Sequence, residues 1–266
     1  MFAGRGQPPI FKFPISGRNV QPLICDMRGR GQGDQMPRAA RIVVPGLAHH
    51  VTQRGNNRQE VFRTESDCRR YLGLLGEAMQ RQGVSLVAWC LMPNHVHLVV
   101  VPPDGSALAR SMEAVHGRYA QEMLRRTSRS GHLWQGRYFS CPLDEIHLVA
   151  AVRYVERNPV RAGFVACAWL YPWSSAAAHV CGDRRGLVDR FAPLDDQIRD
   201  WRAFLAGDAN DDLDSAIRRA TASGRPAGRE EFVGALEKDY GSVVRLRPAG
   251  RPRTVGLSQG SAVRSK

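Results

Sequence analysis

The chain has 266 residues, 43% of them apolar, and carries 38 Lys and Arg against 25 Asp and Glu, a formal charge of +13. That apolar share is enough to fold one substantial domain with extensions, and the excess positive charge points to a polyanionic partner, most often nucleic acid. No apolar run approaches the ~20 residues that span a bilayer, and the N-terminus has no continuous apolar leader, so the expectation is a cytoplasmic protein without a membrane partner.

Residues 1–36 are rich in Gly, Pro, Arg and Gln without sustained periodicity and read as a disordered tail. The run after Met36 starts cleanly, which makes Met36 the expected biological start. The segment 37–182 alternates strand and helix patterns. RIVVPGLAHHVTQRG reads as a strand interrupted at Pro-Gly. SDCRRYLGLLGEAMQRQG reads as a helix capped by Ser66, with Tyr71, Leu72, Leu75 and Met79 as its stripe and Gly83 as its stop. SLVAWCLM and HVHLVVVP are two strands joined through the turn pair Pro93-Asn94. SALARSMEAVHGRYAQEMLRR is a second helix, HLWQGRYFSCPL a strand, and DEIHLVAAVRYVERN a third helix stopped by Pro159. Strands alternating with helices, plus a tight hairpin, predict a small sandwich of ferredoxin-like type. Residues 183–244 contain three short amphipathic patterns, expected to form a helical extension. The end, 245–266, carries six basic side chains and no acid; within it AGRPRT is similar to a minor-groove AT-hook core.

The six cysteines, Cys25, Cys68, Cys90, Cys141, Cys167 and Cys181, form no CxxC pair, which argues against a zinc ribbon or redox motif. They are expected to be mostly reduced.

The chemistry concentrates in MPNHVHLVV. Side chains two apart on a strand share a face, so His95 and His97 lie side by side. Two neutral imidazoles suit a transition metal or a Mg2+ or Mn2+ site. The third helix offers Tyr154 and Asn158, four apart and so on one helical face. An amide oxygen can ligate a hard cation. A phenol beside that cation could attack a phosphoryl group polarised by it.

MPNHVHLVV resembles the His-hydrophobic-His motif of HUH nucleases. Together with PRAARIVVPGLAHHVTQRGNNRQEVF, GHLWQGRYFS and YVERNPVRAG, over roughly residues 37–180, it resembles the IS200/IS605-like single-tyrosine transposases, most closely their REP-associated branch. The resemblance implies an α+β fold, a ferredoxin-like antiparallel sheet with helices. It implies Tyr154 as nucleophile and His95, His97 and Asn158 as ligands of a divalent metal, Mg2+ or Mn2+. The implied reaction is cleavage of single-stranded or hairpin DNA through a 5′-phosphotyrosine, with rejoining by the free 3′-hydroxyl, by a monomer or homodimer. Insertion-sequence members usually carry glutamine where this chain has Asn158; the asparagine fits the REP-associated branch.

Tyr119 and Tyr138 compete as nucleophile but lack a ligand-type residue at i+4. His147, two turns before Tyr154, is a further active-site candidate, and His49, His50 and His132 are extra imidazoles. Arg125, Arg126, Trp134, Gln135 and Arg137 combine cations with an aromatic ring, and Arg54, Asn57 and Arg58 form a polar loop; these are the expected DNA-binding residues. Alternative readings are a non-catalytic, domesticated DNA-binding protein recognising repeat hairpins, a relaxase or replication initiator, and a hydrolase that uses metal-bound water.

Overall fold

The computed structural model describes residues 41–128, 130–182, 186–208 and 210–245. The expectations for residues 1–36, Met36 included, and for AGRPRT therefore fall outside the described residues. Four strands, β1 (His49–Arg54), β2 (Ser85–Met92), β3 (His95–Val101) and β4 (Phe139–Pro142), form one sheet in the order β2-β3-β1-β4. All neighbours are antiparallel. With α1 (Glu65–Gln82) between β1 and β2 and α2 (Ala107–Arg126) between β3 and β4, this is the ferredoxin-like α+β arrangement.

The element boundaries follow local chemistry. A turn at Pro45-Gly46, where Gly46 takes φ 76, precedes β1. The cap of α1 is Thr64 rather than Ser66. Thr64 accepts from the Asp67 backbone N–H, while the Asp67 carboxylate accepts from the Thr64 backbone N–H, a reciprocal box that Ser66 is two residues too late to make. Gly83 ends the helix in the left-handed region, as the sequence predicts. The strand expected over HLWQGRYFSCPL shrinks to Phe139–Pro142, with only a single bridge from Trp134 to Gly55 before it. The third helix, α3 (Glu145–Glu156), stops before Asn158. Pro159 has no N–H to return to Val155, so the ladder breaks and Asn158 opens a separate turn, α4 (Asn158–Arg161).

The alternation of the strands sorts two cores. On one face Val51, Leu91, Val96, Leu98 and Val100 pack with Tyr71, Leu75, Met112 and Tyr119 of α1 and α2. On the other, Ala88, Cys90, Met92, Val99 and Cys141 pack with Leu148, Val152 and Tyr154 of α3. Of the later helices α5 (Ala176–Cys181), α6 (Ala192–Asp195), α7 (Trp201–Ala206), α8 (Asp211–Ser223) and α9 (Glu230–Tyr240), α6 supplies Leu194, α7 Trp201 and α8 Ile217 to that same second core, joined by Ile198 from the link after α6. The extension thus covers the sheet face that carries the histidines. Among the described residues no helix is long and apolar enough to cross a membrane, and the five described cysteines are unpaired.

Candidate active site

The register places His50 opposite Val99, Thr52 opposite His97 and Arg54 opposite His95. All six therefore share the α3 face of the sheet. The His95 and His97 ring centroids are 4.9 Å apart. Tyr154, from α3, meets the edge of His97 at 5.5 Å and of His50 at 5.8 Å. The guanidinium of Arg161 lies 4.2 Å over the Tyr154 ring. Arg161 also approaches Asp214 of α8 at 3.5 Å, and burial raises the Asp214 carboxyl above its usual range.

Each histidine's free nitrogen follows from its partners. Asn94 donates from Nδ2 to the Arg58 carbonyl at 3.2 Å, so its Oδ1, 2.6 Å from His95 Nδ1, is the acceptor. His95 then carries its hydrogen on Nδ1 and presents an Nε2 lone pair. His97 Nδ1 is 3.0 Å from His50 Nε2, which leaves His97 Nε2 facing away from that bond. Burial, then Arg54 and Arg161, lower the His95 pKa to about 4. Burial, reinforced by His50 and His95, puts His97 well below 6.5, and burial alone takes His50 to about 3. At neutral pH all three are uncharged, the form that can donate to a metal.

No ligand accompanies the chain, so the fit of a metal rests on the donor set. Among the described residues no group of three or more His, Cys, Asp or Glu is arranged around a metal position. A centre on His95 and His97 must complete its protein ligands with another donor type. Asn158 is 5% exposed, and its side-chain nitrogen lacks a hydrogen-bond partner; the metal-donor atom of such an amide is its oxygen. Two imidazoles and an amide fit a divalent cation.

The competing groups are placed elsewhere. Tyr119 lies in the opposite core, its hydroxyl donating to the Val61 carbonyl at 2.6 Å. Tyr138 is buried in that core beneath the Arg41 guanidinium, 3.8 Å from its ring. His147 is bound to Asp144 at the start of its own helix, 2.7 Å away, so it serves the cap. His49 spends both nitrogens on the backbone of Val44 and Leu47.

The expected DNA-binding set divides. Arg54, Gln135 and Arg137 line one cleft of about 430 Å3 beside β4, with Arg41 and the end of α8. Asn57 and Arg58 are exposed on the adjoining loop, both in the left-handed region at φ 50 and 59, and the Arg58 carbonyl is tied to Asn94. Trp134 is a correction: it is 8% exposed, packs against His116 and Tyr119, and donates to the His116 carbonyl at 3.0 Å. Its ring is consumed by the core and cannot stack a base. Arg125 and Arg126 are exposed but lie apart from this cleft. They end α2, on the layer across the sheet from the histidines, and Arg126 is paired with Asp67.

Four residues that sequence reasoning passed over belong to the site: Arg161, Asp214, Thr221 and Phe139. Phe139 is 47% exposed at the start of β4, opposite Thr52 and so on the histidine face. Continuing the period of two back from Cys141 would have found it.

Residues 43–158 match the family model described as transposase IS200-like. No curated protein matches the chain. Among solved structures it is similar to a REP-associated tyrosine transposase bound to a REP hairpin, at 20% identity and TM-score 0.45 over 59% of this chain and 96% of that one. It is also similar to a candidate transposase from Deinococcus radiodurans, at 21% identity and TM-score 0.33 over 47% of this chain and 89% of the other. The topology, not these scores, carries the fold. Through residues 43–158, less than half of its length, the chain is similar to the IS200-like transposase family.

Proposed function

We propose that the chain is a metal-dependent DNA nuclease and strand transferase of the REP-associated tyrosine type, acting on single-stranded DNA that carries a hairpin. The observation that carries this reading is the meeting of Tyr154 with His97 and His95 on one sheet face, with the ring centroids of Tyr154 and His97 5.5 Å apart. Binding alone requires no phenol beside two metal-competent imidazoles.

His95, His97 and Asn158 would hold Mg2+ or Mn2+, which when bound polarises a phosphoryl oxygen. The Tyr154 hydroxyl oxygen attacks phosphorus and loses its proton. The bond from phosphorus to the 3′-oxygen breaks, and that oxygen takes up a proton to leave as a 3′-hydroxyl. The 5′-phosphate stays on Tyr154 until a 3′-hydroxyl attacks it and restores the phenol, so bond energy is kept rather than lost to water. Arg161, against the phenol ring, supplies positive charge where the attacking oxygen becomes anionic. Arg54, Arg137 and Gln135 would track phosphates, and exposed Phe139 offers a stacking face for a base.

The test is a labelled hairpin oligonucleotide from the gene's flanks, incubated with Mn2+ or Mg2+ and run under denaturing conditions. Wild type is expected to form a stable protein–DNA adduct that Tyr154→Phe and His95→Ala both abolish. Cleavage that survives Tyr154→Phe without an adduct would assign the nucleophile to water instead. Specific binding of the hairpin without cleavage under either metal would assign the chain to non-catalytic repeat recognition.

A further inference from the structure

His50 carries no role in the reaction above, yet it is 1% exposed and bonded at both ring nitrogens. Its Nδ1 lies 2.7 Å from the hydroxyl of Thr221, which is 171 residues later in the sequence, on α8. That hydroxyl donates its own hydrogen to the Ile217 carbonyl one turn back, at 2.7 Å. Its lone pairs are left for His50 and for the Cys141 thiol at 3.2 Å. Two acceptors cannot face each other across 2.7 Å, so His50 carries hydrogen on Nδ1. Buried without a carboxylate among its bonded partners, His50 remains neutral, and its Nε2 is a lone pair. That lone pair requires a hydrogen on His97 Nδ1, 3.0 Å away. His97 Nε2 is therefore the nitrogen left free.

We propose that Thr221, His50 and His97 form a one-way hydrogen-bond relay through which α8 sets the tautomer of His97, making Thr221 and His50 positioning residues for that ligand. The inference rests on the reading of His97 as a metal ligand. The relay has only one useful direction. Turning the Thr221 hydroxyl toward His50 would reverse each bond and place a hydrogen on His97 Nε2, where it would block donation. The segment C-terminal to the family-matched residues thus supplies the outer partner of the centre. The same face of α8 carries Asp214, seven residues or two turns before Thr221, toward Arg161 and the Tyr154 ring.

The test uses the full chain, metal-free, with 15N-labelled histidine at pH 7.5. Long-range proton–nitrogen spectra read which ring nitrogen carries hydrogen. Wild type is expected to show Nδ1–H on both His50 and His97. Thr221→Val keeps the shape and removes the acceptor; it is expected to shift His50 toward Nε2–H and to weaken Mn2+ binding, followed by electron paramagnetic resonance, by 10–100-fold. Thr221→Ser should restore both, and circular dichroism reports whether each variant is folded. Nε2–H on His97 in the wild type overturns the relay. So does a folded Thr221→Val protein that keeps its tautomers, whether or not Mn2+ binding weakens. Expected tautomers together with no tyrosine adduct on any hairpin sink the strand-transfer reading and leave the relay standing.

Discussion

Replacing Trp134 by alanine removes a ring held among Tyr71, His116 and Tyr119. It also removes the indole N–H bond to the His116 carbonyl, which keeps its place in the α2 ladder. The expected cost is about 3–5 kcal/mol of stability, read as a lower urea midpoint, while the DNA affinity of the folded fraction stays that of wild type. Arg54→Ala and Arg137→Ala should do the reverse. Both side chains border an open cleft, so stability holds, and each lost phosphate contact reduces the slope of log affinity against log salt by about 1. Phe139→Ala should cost about 1–3 kcal/mol of single-strand affinity if the ring stacks a base. Unchanged binding for all three cleft variants would place the strand path elsewhere. Arg125→Ala serves as the control, since it lies on the far layer.

At the scale of elements, α8 joins two functions that look separable. Ile217 on its buried face is 0% exposed and packs in the cluster of Cys141, Leu148 and Val152. Leu194, Ile198 and Trp201 lie on the same side. Full burial of such side chains contributes roughly 1.5–3 kcal/mol each, so a chain ending at residue 182 should lose cooperative unfolding or aggregate, and bind a hydrophobic dye. A sharp thermal transition in that truncated chain would show that the sheet and α1–α5 suffice. Much of the sheet was legible because its signals are local: a period of two puts His95 beside His97, and Gly83 announces the end of α1. The partners of these elements were not. Thr221 reaches His50 across 171 positions, and Asp67 takes Arg126 across 59, distances over which no periodicity speaks. Trp134 was misread for a related reason: an aromatic among arginines has the same local pattern in a core and on a nucleic-acid surface, and only burial separates them.

For the whole molecule, the charge of +13 and the buried imidazoles act in the same direction as pH falls. Burial holds His49 and His95 at about 4 and His50 and His116 at about 3, against an ordinary 6.5. Each folded pKa is depressed, so the native state keeps these rings neutral while the unfolded chain protonates near 6.5. The unfolded state then binds more protons, and stability falls with falling pH. The loss starts as pH drops through about 6.5 and runs down to each folded value. Within that window each such histidine contributes a slope of up to about 1.4 kcal/mol per pH unit. Carboxylates enter later: Asp104, held at about 2 by its bonds to Ser106, loses its stabilising charge only as pH falls below the usual carboxylate range. The expected outcome is a clear drop in urea midpoint between pH 7.5 and pH 5.0, before carboxylates held low, such as Asp104, titrate. His116 separates this from the metal centre, because it lies in the α1–α2 core with its Nε2 3.0 Å from the Tyr71 hydroxyl. His116→Gln should flatten part of the slope while leaving Mn2+ affinity unchanged. A midpoint that stays constant from pH 7.5 to 5.0 would mean that these rings gain access to water and protons in the native state, against the burial described here.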